Sequence, residues 1–292
     1  MSPNVSRKPL WLKKKTVFGA RYWTVRDVLD AGALATVCEE SLCPNRGECY
    51  SHGTATFLIL GTECTRSCRY CAVSHGVPGH PVPDEPARVA EAVGRLKLTH
   101  AVLTSVTRDD LPDGGAGHFA ATVREIRRVS PETTVEILVP DFRGETASLD
   151  TVLAARPDVF NHNIETVPRL YSTARPEADY RRSLAVLKYV RDHALDIVTK
   201  SSIMMGLGET TDEVAGALDD LRESGCSIVT IGQYLQPRED LMPVARFVSP
   251  DEFDRWRERA LILGFAAVES GPYVRSSYNA GRSYAQSLAA NT

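Results

Sequence analysis

The chain has 292 residues, 43% of them hydrophobic, and a formal net charge of −3. A chain of this length buries roughly 75% of its extended surface, so one large α/β domain or two smaller ones are both allowed. The balanced charge gives no global attraction to nucleic acid or lipid, no stretch reaches the roughly 20 apolar residues of a membrane span, and no apolar secretory core opens the chain, so a cytoplasmic location is expected.

Residues 1–22 carry Arg7, Lys8, Lys13, Lys14, Lys15 and Arg21, with no acid before Asp27. Residues 1–9 read as a solvated tail. The remainder reads as a basic arm that steers or docks an acidic partner. Trp11, Phe18, Tyr22 and Trp23 suggest that part of the arm packs on the body. A helix is predicted over 24–35, capped by Thr24, with Val25, Val28 and Leu29 on one face.

Six of the seven cysteines fall in two tight triplets. A chain this long needs no disulfide staples, so metal-bound thiolates are expected in a reducing compartment. The first triplet, Cys38, Cys43 and Cys49, has C-x4-C-x5-C spacing, and Pro44, Asn45 and Gly47 predict a loop wrapped around a bound group. A zinc knuckle is the alternative to a three-cysteine cluster site. The second triplet, Cys64, Cys68 and Cys71, has C-x3-C-x2-C spacing and follows a short buried strand predicted over 57–60 and ended by Gly61. Three close thiolates grip three corners of a cubane iron–sulfur cluster, whose irons usually take four cysteines. The fourth iron then stays open to a small molecule. Here zinc with His75 as fourth ligand is the alternative.

From residue 57 strands and helices alternate. Strands are predicted over 57–60, 101–106, 134–139, 159–165, 197–205 and 228–235. Helices are predicted over 86–98, 117–129, 149–155, 180–193, 211–224 and 250–263, opening near Asp84, Asp179, Thr210 and Ser249. Six β-α units match right-handed parallel crossovers and imply a partial, open-sided (β/α)6 TIM-type barrel, with a doubly wound sheet as fallback. No G-x-G-x-x-G follows any strand, which argues against a dinucleotide fold.

Reacting groups in such barrels lie at the carboxyl ends of the strands. That places Cys64, Cys68 and Cys71 after the first strand, Thr104 and Ser105 on the second, and Asn161, Asn163 and Glu165 along one face of the fourth. Lys200 lies on the fifth, ahead of Gly206 and Gly208. Glu165 can accept both hydroxyls of a ribose, Lys200 or Arg175 can pair with a carboxylate, and the two glycines let the backbone approach an aromatic base. A Glu165–Lys200 ion pair would instead satisfy both groups internally. Cys226 precedes the sixth strand, at the opposite rim, and reads as a buried inert thiol. Beyond the last helix, Arg275-Ser276-Ser277-Tyr278 reads by itself as part of a polar tail.

The Cys64/Cys68/Cys71 spacing, with aromatic Tyr70 before the last cysteine, resembles the signature of radical S-adenosylmethionine (SAM) enzymes. Together with the upstream triplet and Arg275-Ser-Ser-Tyr278 it resembles the lipoyl synthase family over about residues 10–280. Further stretches that fit are Ser105-Val-Thr-Arg-Asp-Asp-Leu111, Asn161-His-Asn-Ile-Glu-Thr166 and Lys200-Ser-Ser-Ile-Met-Met-Gly-Leu-Gly-Glu209. The resemblance implies two [4Fe–4S] clusters. One, on Cys64, Cys68 and Cys71, binds and cleaves SAM. The other is auxiliary, on Cys38, Cys43 and Cys49, with Ser277 as fourth ligand in preference to Ser276. SAM contacts are expected from Thr104, Ser105, Asn163, Glu165, Arg175 and Lys200. The implied layout is an N-terminal extension (1–56), a barrel (57–264) and a C-terminal extension (265–292). The implied reaction inserts sulfur at carbons 6 and 8 of an octanoyl chain on a lysine. Implied partners are an octanoylated lipoyl carrier domain or glycine-cleavage H protein, an electron donor such as ferredoxin or flavodoxin, and a cluster-repair protein. Biotin synthase or a methylthiotransferase would share only the second triplet, and a non-catalytic zinc scaffold would hold no sulfide.

Overall fold

The computed structural model describes residues 8–14 and 18–290. The parts of the basic arm at 1–7 and 15–17 lie outside the described residues. Eight strands form one sheet in chain order: β1 (Ala35–Thr36), β2 (Thr56–Ile59), β3 (His100–Ser105), β4 (Thr134–Leu138), β5 (Val159–Asn161), β6 (Val198–Met205), β7 (Ile228–Gln233) and β8 (Ala267–Gly271). β1 pairs antiparallel with β2, and every later pair is parallel. The two ends of the sheet do not pair with each other, so the barrel stays open on one side. All six predicted β-α units are present, and β8 adds a parallel strand where a polar tail was expected. Every residue of β2 and of β7 is buried, as befits parallel strands covered on both faces.

The helices pack their apolar stripes on the outside of the sheet. Val89, Val93 and Leu96 of Glu85–Leu96 are buried in this way, each worth about 1.5–3 kcal/mol of transfer free energy. Three of the four predicted caps form. Asp179 accepts from Arg182 N at 2.7 Å, and Ser249 accepts from Glu252 N at 3.3 Å. Thr210 and Glu213 make a reciprocal capping box. Asp84 makes no side-chain cap; Pro86 in the first turn marks that start instead.

Three local expectations change. The first helix runs Ala20–Ala31, so Thr24 is internal and Gly19 sits at the cap, its N–H donating to Ser51 Oγ at 2.8 Å. Of the arm's aromatics only Tyr22 is deeply buried; Trp11, Phe18 and Trp23 are exposed. The fourth barrel strand stops at Asn161 rather than Glu165. Arg175 Nη1 donates to the carbonyls of Asn163 and Ile164, at 2.9 and 3.1 Å, and Tyr171 donates its hydroxyl to Ile164 O at 2.7 Å. These bonds redirect carbonyls that a strand would have offered to its neighbour.

Candidate functional site

The three segments expected to meet at the carboxyl ends of the strands do meet. A cavity of about 240 Å³ has Cys38, Cys43 and Cys49 in its wall, together with Tyr70 and Cys71 of the second triplet. Asn163, Glu165, Ser202 and Met204 come to it from the barrel, and Arg275, Ser276 and Ser277 from the C-terminal segment. Cys64 and Cys68 sit outside this lining, in the loop that carries Cys71.

Local structure fixes Cys38, Cys49 and Cys64. Thr36 caps the short helix Val37–Glu40, which carries Cys38, and Cys49 lies in Arg46–Ser51. The Cys64 sulfur accepts backbone N–H bonds from Thr107 at 3.3 Å and Arg66 at 3.5 Å. Arg66 is itself buried between Asp109 (2.7 and 3.0 Å) and Asp141 (2.7 Å), which ties the cysteine loop to the loops after β3 and β4.

All seven thiols are free. Burial pushes Cys38, Cys49 and Cys71 up to about 12, and repulsion from the other cysteines of each one's own triplet adds to the effect. Burial also raises Cys68, opposed by the Arg175 guanidinium. Such thiols become thiolates only against a strong local positive charge, which bound iron supplies. Among the described residues, no three His, Cys, Asp or Glu side chains converge on a single ion, and His75 is exposed. Soft thiol donors match the irons of an iron–sulfur cluster.

The C-terminal segment reaches the site by three holds. Asn45 Nδ2 donates to Tyr273 O at 2.6 Å, and Tyr278 donates its hydroxyl to Glu48 at 3.0 Å. Gly232 of β7 is the third, since a Cβ there would lie 2.1 Å from the Val274 carbonyl oxygen. The two serines then differ. Ser276 Oγ donates to Asn163 Oδ1 and accepts from Asn161 Nδ2. Ser277 Oγ has no hydrogen bond among the described residues and faces the cavity that holds the upstream cysteines.

The six expected SAM contacts separate into two groups. Asn163 and Glu165 line the cavity, and Asn163 Nδ2 donates to Glu165 Oε1 at 3.0 Å. Glu165 has φ of +65°, and burial raises its carboxyl pKa. The other four are absent from the lining. Thr104 donates its hydroxyl to Leu138 O at 3.0 Å, and Ser105 Oγ is buried without a partner. Arg175 puts Nη1 on the Asn163 and Ile164 carbonyls, and its Nε is buried without a partner. Lys200 is fully buried, and its Nζ binds both oxygens of Glu136 at 2.8 and 3.1 Å. Lys200 is therefore not open to a ligand carboxylate, and its partner is not Glu165. Glu136 was missed because nothing in a strand sequence tells which neighbouring strand will supply a counter-ion.

Gly206 and Gly208 also act internally. Their amides and that of Leu207 donate to Glu209, and Gly206 packs on the Gln233 side chain. Cys226 behaves as expected, fully buried with its thiol on Ile228 O at 3.2 Å.

Comparison with known proteins agrees with this geometry. Residues 58–234 match the Radical SAM superfamily. Lipoyl synthase of Desulfotalea psychrophila is 56% identical over 94% of this chain and 91% of its own. Lipoyl synthase of Chlorobaculum parvum is 53% identical over 96% of each. Among solved structures, HydG, a maturase of the [FeFe]-hydrogenase, superposes with TM-score 0.57 at 13% identity, over 84% of this chain and 65% of that one. Coproporphyrinogen III oxidase (HemN) of Escherichia coli, a radical SAM enzyme, gives 0.53 at 15% identity, over 77% and 57%. An upstream cysteine triplet that shares its cavity with Cys71 in a partial barrel, and relatives matched over nearly their full length, lead to one conclusion: the chain belongs to the lipoyl synthase family, radical SAM sulfurtransferases that use two [4Fe–4S] clusters and SAM and act on an octanoylated carrier protein.

Proposed function

We propose that this chain inserts two sulfur atoms, at carbons 6 and 8, into a protein-bound octanoyl-lysine, and that the auxiliary cluster is the sulfur source. The observation that carries this reading is the shared cavity: Cys38, Cys43, Cys49 and Ser277 line the same space as Cys71, Asn163 and Glu165. In this assignment Cys64, Cys68 and Cys71 hold one cluster and leave an iron for SAM. Cys38, Cys43, Cys49 and Ser277 hold the other. When bound, the first cluster and SAM supply the radical that opens unactivated C–H bonds, which acid–base groups cannot do.

The chain's own residues position and shield. The barrel strands β2–β8 would orient SAM, with Asn163 and Glu165 as polar contacts and Arg175 holding the backbone beneath them. The segments at 37–49 and 274–278 would bring in the auxiliary ligands and wall the cavity around the acyl chain, where exclusion of water prevents side reactions. A serine oxygen is a harder and poorer match for iron–sulfide than a thiolate. Ser277 would thus be the weakest-matched of the four ligands to the auxiliary cluster. The reaction also requires a one-electron donor such as ferredoxin or flavodoxin, and a protein that rebuilds the consumed cluster.

The test is anaerobic incubation of the reconstituted protein with SAM, a reductant and an octanoylated lipoyl-domain lysine, read by mass. A gain of two sulfurs supports the proposal. Cleaved SAM with an unchanged acyl chain refutes it.

A further inference from the structure

The auxiliary ligands form a partition with two faces. Cys38, Cys49 and Ser277 line the inner cavity, and the same three residues also line a second space of about 520 Å³, the outer groove, walled by residues 52–56, 96–100 and 277–282. Cys71, Asn163 and Glu165 line only the inner one. This outer groove has both apolar and polar walls, and its lining carries the cationic or ionisable side chains Arg21, Lys97 and His52. Among the described residues none of these three makes an ion pair, whereas the groove's acid, Glu48, is already engaged by Lys14 and Tyr278. The groove is therefore an electropositive recess that ends on cluster ligands without passing the SAM site.

We propose that the outer groove admits an anionic, thiolate-bound iron–sulfur unit to the auxiliary site, so that the site is refilled from the face opposite the acyl chain. The inference rests on the proposed consumption of the auxiliary cluster. Delivery is a ligand exchange without electron transfer. Four bonds from iron to the donor's thiolates break; bonds to the sulfurs of Cys38, Cys43 and Cys49 and to Ser277 Oγ form. The four displaced thiolates leave as thiols, carrying the protons of those side chains. Arg21 and Lys97 attract the incoming anion by charge alone, a contribution that salt screens.

The test uses the whole chain carrying Cys64→Ala, Cys68→Ala and Cys71→Ala, in which bound iron reports the auxiliary site alone. A synthetic [4Fe–4S] complex of 2-mercaptoethanol is the probe, and in a second arm ferrous ion with sulfide and 2-mercaptoethanol. The readout is the rate of iron uptake by absorbance and Mössbauer spectroscopy. Thr99→Trp, at an exposed residue lining the groove, should slow uptake about tenfold in both arms. Arg21→Glu with Lys97→Glu should slow the preformed complex several-fold at low salt, and the difference should fade at high salt. The same substitutions in a chain lacking Cys38, Cys43 and Cys49 should leave uptake at the other triplet unchanged. Equal uptake by parent and Thr99→Trp overturns the groove as the route. Should the parent take up no iron at this site at all, the auxiliary-site assignment itself has failed.

Discussion

Ser276 and Asn163 are joined by a 2.9 Å hydrogen bond from the serine hydroxyl to the amide oxygen. Asn161 Nδ2 donates back to the same hydroxyl at 2.8 Å and to Glu136 Oε1 at 3.0 Å. A continuous polar chain therefore runs from the Lys200–Glu136 pair through Asn161 and Ser276 to Asn163 and Glu165. It uses up the first serine and presents the second to the cysteines. Replacing Ser277 with cysteine should keep reductive SAM cleavage and block sulfur transfer, because a thiolate holds the fourth iron more firmly. A full yield of dithiolated product from Ser277→Cys, measured by mass, would refute the assignment. Ser276→Ala should instead cost about 1–3 kcal/mol of stability through the partners it leaves unpaired, read by urea denaturation.

The Lys200–Glu136 pair carries a second prediction. Both side chains have zero exposure. Burial opposes the charged form of Glu136, yet Lys200 and His100 hold its carboxyl down at about 2. Lys200→Met leaves a buried, uncompensated charge and should destabilise the apo-protein by about 3–5 kcal/mol. Adding Glu136→Gln should recover much of that loss. A double variant no more stable than Lys200→Met in urea would show that the lysine matters for packing and not for charge.

The legible parts of this chain were those with a spacing rule. Cysteine intervals gave the two trios, and the regular succession of apolar runs and capped helices gave the six barrel units. The strand at Ala267–Gly271 escaped because five residues ending in Ser-Gly show neither a β-branched run nor alternation; its strand identity comes from pairing with Ile228–Gly232. The helix Ala280–Ala290 is rich in small and polar residues and lacks a strong apolar stripe. Lys200 was misjudged because its carboxylate partner lies two strands away in the sheet and 64 residues away in sequence. That Glu165 and Asn163 reach the cavity was legible because polar side chains at a barrel mouth need either partners or ligands.

His162 sets a pH limit. Its Nδ1 lies 2.8 Å from Val139 O, its Nε2 is buried without a partner, and burial lowers its pKa to about 4, with Arg175 adding to the effect. The folded state then binds fewer protons than the unfolded state between pH 6.5 and 4, so stability must fall as pH drops through that window. At pH 5 the loss relative to pH 8 is roughly 2 kcal/mol from this residue. Glu136 and Asp141, both held down at about 2, contribute stability above their unfolded values that is lost as pH falls below about 4.5. Urea midpoints of the apo-protein from pH 8 to 4 should show the upper limb vanish in His162→Asn and persist in Asp141→Asn. A limb unchanged in His162→Asn would assign it elsewhere.

Lys14 gives the basic arm a role inside the molecule. Its Nζ donates to Asn45 Oδ1 at 2.8 Å, pairs with Glu48, and lies 4.8 Å from the centre of the Tyr273 ring. Asn45 and Glu48 belong to the upstream cysteine segment, and they bind Tyr273 and Tyr278 in turn. One ammonium thus clamps the two segments that supply Cys43, Cys49 and Ser277. A charge-assisted contact of this kind is worth about 1.5–3 kcal/mol, so Lys14→Met should weaken iron retention at the auxiliary site about tenfold or more. Iron at Cys64, Cys68 and Cys71 should be unaffected, and Lys14→Arg should restore most of the loss because it keeps the charge and the donors. Chelator competition on separately reconstituted sites checks this. Equal losses at both sites would mean that Lys14 serves general stability, and unchanged retention would mean that the N-terminal and C-terminal segments stay together without it.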